Sequence, residues 1–305
     1  MTLQVFITPP DTFFRAGVGE RRDLLASMAD VGLDGVFYAD HVSFRNGAGM
    51  DGLILLAGLS QLHPTLTVEV GVYLLPLRHP VLVARQLSTL WELAPGRIAF
   101  GVGVGGEDRH EITSCEVDPR TRGARCDESL EVLGRLLAGE TVTHHGRFFH
   151  LDEVLIRPVP APAIPVYVGG RSDAAIRRTG RYGEGWIGTW CSAERFGTAV
   201  ALCDETAAAA GRAPVAWHHQ LQTWVGVGRD RDRARAAVAG AMERFYGVPF
   251  RAFERYTPYG SPAEVAEFLR PYVDAGVRQF NITPCGDPDE DLVALTGEIR
   301  AALLS

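Results

Sequence analysis

The sequence predicts an α/β fold: one closed (β/α)8 TIM barrel filling residues 1–305 as a single domain, with insertion loops. Two observations predict it. Eight short β-branched or aromatic runs alternate with eight or more longer helical patterns, as parallel βα units require. No linker-like segment divides the 305 residues, whose 46% hydrophobic content suffices for one large core.

Strands are expected at 3–8 (LQVFIT), 35–39 (GVFYA), 67–74 (TVEVGVYL), 97–102 (RIAFGV), 165–169 (PVYVG), 185–190 (GWIGTW), 217–227 (WHHQLQTWVGV) and 277–283 (VRQFNIT). Helical patterns follow at 20–31, 51–62, 80–94, 121–138, 172–182, 193–210, 230–246 and 288–304, with one more at 261–275. The start of that additional helix is sharply marked. Ser261-Pro262-Ala263-Glu264 joins an N-cap, a first-turn proline and a capping-box glutamate, and Gly276 stops the helix before the last strand. Three stretches exceed ordinary loop length, 103–120, 139–164 and 247–260. On a rigid barrel such loops are expected to be lids or site walls, or else contacts between subunits.

A net charge of −7, with no basic block or aromatic-basic stripe, argues against nucleic acid and anionic membrane as partners and for a small-molecule substrate. Five scattered cysteines without a C-x-x-C pair predict neither a zinc site nor a disulfide framework. No apolar run approaches the roughly 18 residues of a membrane span, and Met1 leads straight into a strand pattern, so a cytoplasmic location is expected. All 30 basic residues are arginine, the usage of a gene rich in G and C.

The stretch 97-RIAFGVGVGGED-108 invites reading as a dinucleotide loop, but it follows the fourth strand and leads into a polar loop instead of a helix. Alternating Gly101, Gly103 and Gly105 better suit a surface that a flat ring can approach closely. A phosphate cradle is expected at 165-PVYVGGRSDAAIRR-178, where Gly169-Gly170 ends a strand, Ser172 caps a helix and Arg171 adds charge. Its competing reading is a plain serine-capped connection. Asp40 and His41 stand just past the second strand, where barrel enzymes place catalytic groups. His41 is the expected acid/base. Asp40 either orients its imidazole or braces the loop through backbone amides. His79 is as well suited to packing at a helix start as to touching a ligand, and at most one of His218 and His219 faces the lumen. No H-x-H or H-x-x-x-H spacing offers a metal site.

Taken together, the ADH at 39–41, 71-GVYLLPLRHPVLVARQLSTLWELAPGRIAFGVGVG-105, 121-TRGARCDESLEVLGRLLAGE-140 and 166-VYVGGRSDAAIRRTGRYGEGWI-187 resemble the bacterial luciferase-like monooxygenase superfamily. The resemblance implies a barrel holding coenzyme F420 or, alternatively, FMN at its C-terminal mouth. It implies that His41 is the catalytic histidine and that Gly169, Gly170 and Arg171 hold the cofactor phosphate. It implies a non-prolyl cis bond between Gly71 and Val72 beneath the ring, and Glu107 matches an acidic residue of the deazaflavin group. Val104 stands where bacterial luciferase carries a phosphate-gripping arginine, which favours F420. Arg171, Arg177, Arg178 and Arg181 are expected to gather at the phosphate and meet the polyglutamate tail. Phe13, Phe14, Tyr73 and Trp190 are candidates for an apolar substrate wall or for the core.

The implied activity is F420-dependent hydride transfer to or from a small organic substrate, with FMNH2/O2-dependent monooxygenation as the alternative and a non-catalytic flavin-binding relative as a further one. A homodimer, and a flavin or F420 reductase supplying reduced cofactor, complete the expectations.

Overall fold

The computed structural model describes residues 3–45, 47–106 and 108–305. Eight parallel strands close on themselves: β1 (Gln4–Ile7), β2 (Gly35–Tyr38), β3 (Thr67–Leu74), β4 (Ile98–Gly103), β7 (Val166–Gly169), β8 (Gly185–Gly188), β9 (His219–Val227) and β11 (Val277–Cys285). The ring closes because β9 pairs both with β11 and, through Ile187↔Gln220 and Gly188↔Leu221, with β8. All eight are the strands that the periodicity predicts.

The outer layer is α1 (Val18–Asp30), α2 (Gly52–Ser60), α3 (Pro80–Leu93), α5 (Arg122–Leu137), α6 (Asp173–Tyr182), α7 (Ala193–Ala209), α8 (Arg231–Tyr246), α9 (Pro262–Asp274) and α10 (Leu292–Leu304). Their starts follow from capping chemistry. Ser172, Ser192 and Ser261 cap α6, α7 and α9, Asp51, Asp230 and Asp291 cap α2, α8 and α10, and the imidazole of His79 accepts the Val81 amide at the start of α3. His79 is therefore a helix cap.

The long loops carry structure that period reading does not reveal. Residues 139–164 contain the hairpin β5 (Val142–His145) and β6 (His150–Val154), tied down by Glu128, which accepts the Phe148 and Phe149 amides. The loop after β4 contains α4 (Arg109–Ser114), capped by Asp108. Residues 247–260 form two 3-10 turns and the two-residue strand β10 (Tyr259–Gly260), which pairs with the upper end of β9.

One irregularity organises the lumen. Val70 pairs with Phe100 but Tyr73 with Val102, so β3 carries one extra residue, and the Gly71–Val72 peptide within that bulge is cis, as the resemblance implies. Val72 consequently packs inside the barrel against Ala99, Tyr167 and Ile187. Tyr73 is thrown outward into the main core beside Phe100, with the Arg78 guanidinium 4.3 Å from its ring centroid. Below the bulge the lumen is polar. Glu69 accepts from Gln279 and Gln220, Gln279 also donates to Asn281, and His218 bonds Gln279. Burial pushes the Glu69 carboxyl up to about 7, against the lowering effect of these hydrogen bonds. His218 thus belongs to the lumen, while its neighbour His219 stacks on Trp217 and accepts the Trp186 amide.

Candidate active site

His41 lies past the C-terminal end of β2, half-buried with 18% of its side chain exposed. Its imidazole is held by a residue that no sequence pattern singles out. Glu111, in the first turn of α4, is 3% exposed, and its carboxylate lies 3.2 Å from His41 Nδ1. The same carboxylate accepts the amides of Val42 (2.7 Å) and Ser43 (3.2 Å). An oxygen pair that accepts two amides serves as acceptor for Nδ1–H as well, which assigns the proton to Nδ1 and leaves the Nε2 lone pair available. In sequence, Asp108 and Glu111 show only the D-x-x-E pattern of a helix start, 70 residues from His41.

Asp40 has the second of its two expected roles. It is fully buried, accepts the Gly52 and Leu74 amides at 2.9 Å each, and is gripped by Arg78 at 2.6 and 2.8 Å. Both oxygens are thereby committed to joining the loops after β2 and β3. The catalytic placement of Asp40 is corrected accordingly: Glu111 holds the imidazole and Asp40 braces the wall behind it.

The glycines of β4 also have a different reason. A Cβ on Gly101 would fall 2.4 Å from the Val70 carbonyl oxygen, and one on Gly103 would fall 2.4 Å from Val72 Cγ2. The space beside them is therefore filled by the bulged strand, so Gly103 accommodates Val72 instead of offering a bare face to a ring. Gly169 does the same from β7, where a Cβ would lie 2.6 Å from Val72 Cγ1. Gly105 and Gly106 have φ of +67° and +133°, which is why glycine suits the turn. Glu107 lies outside the described residues.

At the end of β7, Gly170 has φ +134° and its carbonyl accepts the Trp186 indole N–H at 2.8 Å, while Ser172 Oγ accepts the Ala175 amide. Arg171 is exposed, its guanidinium 5.1 Å from the Trp190 ring centroid, and it makes no ion pair among the described residues. The expected arginine cluster does not assemble. Arg178 is buried and committed to Asp127 at 2.7 Å and to the Gly123 carbonyl, Arg177 pairs with Asp173, and Arg181 sits in the last turn of α6. Arg195, from α7, instead reaches Asp173 at 2.5 Å. Arg171, Arg195, Thr189, Trp190, Ser192 and Tyr256 line a cleft of about 170 Å³ there.

Of the candidate substrate wall, Trp190 and Phe14 are half-buried, Trp190 with φ +48° and Phe14 edge-on to Tyr38. Phe13 and Tyr73 are corrected to core residues, 2% and 1% exposed. For Tyr73 the cause is the bulge, which breaks the strand alternation just before it. Among the described residues no three His, Cys, Asp or Glu side chains stand together as a metal site, and no helix is long and apolar enough to cross a membrane.

Residues 9–258 match the family model of the luciferase-like monooxygenases. The chain belongs to that family. An F420-dependent glucose-6-phosphate dehydrogenase of Nakamurella multipartita is 29% identical over 96% of both chains. An F420-dependent hydroxymycolic acid dehydrogenase of Mycobacterium tuberculosis is 31% identical over 54% of this chain and 48% of its own. Among solved structures, an F420-dependent secondary alcohol dehydrogenase in complex with an F420-acetone adduct superposes with TM-score 0.85, 19% identity and 99% coverage of both chains. The FMN-bound oxygenating constituent of 3,6-diketocamphane monooxygenase from Pseudomonas putida superposes with TM-score 0.78 and 15% identity, over 98% of this chain and 96% of that one. Both superpositions show the same barrel. As a luciferase-like family member related to these dehydrogenases, the chain is an oxidoreductase.

Proposed function

We propose that this family member is an F420-dependent oxidoreductase that transfers hydride between the cofactor and the carbon of an alcohol–carbonyl pair, with His41 exchanging the hydroxyl proton. The observation that carries the catalytic part is the buried Glu111 carboxylate on His41 Nδ1, which presents Nε2 as a proton acceptor at the barrel mouth. Relatives named as F420-dependent that align over nearly the whole chain support the choice of cofactor.

The residues fit such a group. Gly169, Gly170, Arg171 and Ser172 bring the N-terminus of α6 and a guanidinium without an ion pair among the described residues to one point, suited to its phosphate. The Gly71–Val72 bulge, with Gly103 and Gly169 against Val72, forms the floor, and Gly105 belongs to the loop beside it. When bound, the deazaflavin supplies two-electron hydride acceptance or donation. Glu111 keeps the imidazole in one tautomer, Nε2 takes the hydroxyl proton as an alcohol is oxidised, and it returns that proton in reverse. Asp40 and Arg78 keep the loops after β2 and β3 in register so that His41 stays over the floor.

The proposal includes a homodimer and a separate reductase supplying reduced cofactor. Exposed Ile54 on the wholly uncharged α2, and Leu82 on neighbouring α3, support self-association. FMNH2/O2-dependent monooxygenation is the second reading, favoured by the FMN-bound structural neighbour. The deciding experiment titrates purified protein with F420 and FMN, oxidised and reduced, while following oxygen. Tight FMN binding, oxygen uptake and no affinity for F420 would replace the first reading with the second.

A further inference from the structure

The barrel mouth has two chemically different sides. Beside α6 and α7 stands Arg171, suited to the anionic end of a cofactor, with Arg195 nearby held by Asp173. From the loop after β2, in contrast, an unbroken series of rings runs past β9 and α8 to Trp190, which stands beside Arg171. His41 lies 4.3 Å from Phe44, Phe44 stacks on Phe245 at 5.5 Å, and Phe245 meets Trp224 at 5.7 Å and Tyr246 at 4.8 Å. Tyr246 in turn meets Trp190 edge-on at 4.9 Å. Phe245 is 37% exposed, and Val42 and Val248 carry the apolar surface out to the rim.

Two charged residues beside this series are tied to its backbone. Arg45 lies over Phe44 and donates to the Tyr246 carbonyl, and Asp108 accepts the Arg45 amide. A polyhydroxylated or phosphorylated substrate placed on Phe245 would leave its hydroxyls facing a ring surface that returns no hydrogen bonds, whereas an apolar group loses nothing.

We infer that the substrate is an uncharged alcohol or ketone bearing an apolar, ring-sized group that packs against Phe245 and Trp224, which the buried Phe44 backs, with its oxygen directed to His41 Nε2. This rests on the hydride-transfer reading above, and Phe245 is the residue that sets the specificity.

The test uses protein loaded with whichever of oxidised F420 or FMN it binds, titrated calorimetrically with cyclohexanone, 4-methylcyclohexanone, 4-ethylcyclohexanone and glucose 6-phosphate. Ketone and oxidised cofactor do not exchange hydride, so ketone binding is read without turnover, and glucose 6-phosphate, itself a hydride donor, is titrated without oxygen into protein holding the reduced cofactor. Affinity is expected to rise roughly fourfold per added methylene. Phe245→Ala should weaken the ethyl compound roughly tenfold while Phe245→Leu retains most of it, and the sugar phosphate should bind more weakly than any ketone. The inference is overturned by tighter binding of glucose 6-phosphate, by a series without dependence on ring substituents, or by wild-type affinity in Phe245→Ala. Failure of the cofactor reading shows separately, as binding of FMN but not F420.

Discussion

Replacing Glu111 tests how the proton-transfer site is built. In Glu111→Ala the Val42 and Ser43 amides and His41 Nδ1 lose their acceptor. At roughly 1–3 kcal/mol per unsatisfied buried group, and near the lower end because both amides are part-buried, the loss is about 2–4 kcal/mol. For a chain of this length that lowers Tm by about 3–6 °C. Glu111→Gln keeps an acceptor for the amides but loses the charge, so a fall of about 1–3 °C is expected. A positioned proton-transfer group contributes roughly 10²–10⁴-fold, and an imidazole free to turn forfeits part of that, so kcat should fall roughly tenfold in Glu111→Gln and up to about a hundredfold in Glu111→Ala. The decisive assay is a double-mutant cycle in which kcat and cofactor affinity are measured for His41→Ala, Glu111→Gln and the pair. A positioning residue adds nothing once its imidazole is gone. If the two losses in kcat multiply in the double variant, Glu111 acts by some other route and the reasoning is refuted.

His41→Ala itself should fold and bind cofactor normally while losing roughly a hundredfold or more in turnover, and wild-type rates would remove it from the mechanism. Gly103→Ala and Gly169→Ala each force a methyl against Val72 and should cost about 1–3 kcal/mol by thermal unfolding. Val72→Ala should recover most of that loss in either background, and purely additive losses would show that the clash lies elsewhere. Glu69 has a folded pKa raised from its ordinary 4.5 to about 7, so its native state holds the proton more tightly than the unfolded chain. Its stabilisation is full below about pH 4.5, declines as pH rises and is gone above about pH 7, a span on the order of 3 kcal/mol. Glu69→Gln should therefore show a flatter stability–pH profile across that window, and parallel profiles would contradict the assignment. Arg171→Ala should weaken cofactor binding roughly tenfold or more at low salt without lowering Tm, whereas Arg178→Ala, which strands Asp127, should lower Tm and leave cofactor affinity near wild type. The reverse pattern would exchange their roles.

The eight strands were legible because each is a short β-branched run next to a helical period, and their ends fall within a few residues of those expected. His41 was legible because it stands just beyond such a run, and so was the Gly169–Ser172 turn, where glycine, serine cap and helix start coincide. What escaped depends on contacts far apart in the chain. Glu111 matters only because α4 folds back over the loop after β2, and Asp40 is fixed by Arg78 from the next loop. Tyr73 reads as a lumen candidate until one extra residue in β3 reverses the alternation. The arginines of α6 look alike in sequence, and burial of Arg178 against Asp127 separates them.

The strand β9 changes neighbours along its length. Gln220 and Leu221 pair with β8, but Gly226 and Val227 pair with β10, so the barrel wall is zipped below and parted above, between Trp224 on β9 and Trp190 just past β8. Substitutions or insertions in residues 247–260 can therefore widen or narrow that gap without unfastening a ladder bond lower down. The polar plug around Glu69 and the His41–Glu111 pair lie outside this segment. Descendants of this chain can thus be refitted to larger or smaller substrates by recutting one seam while the chemistry beside it stays in place.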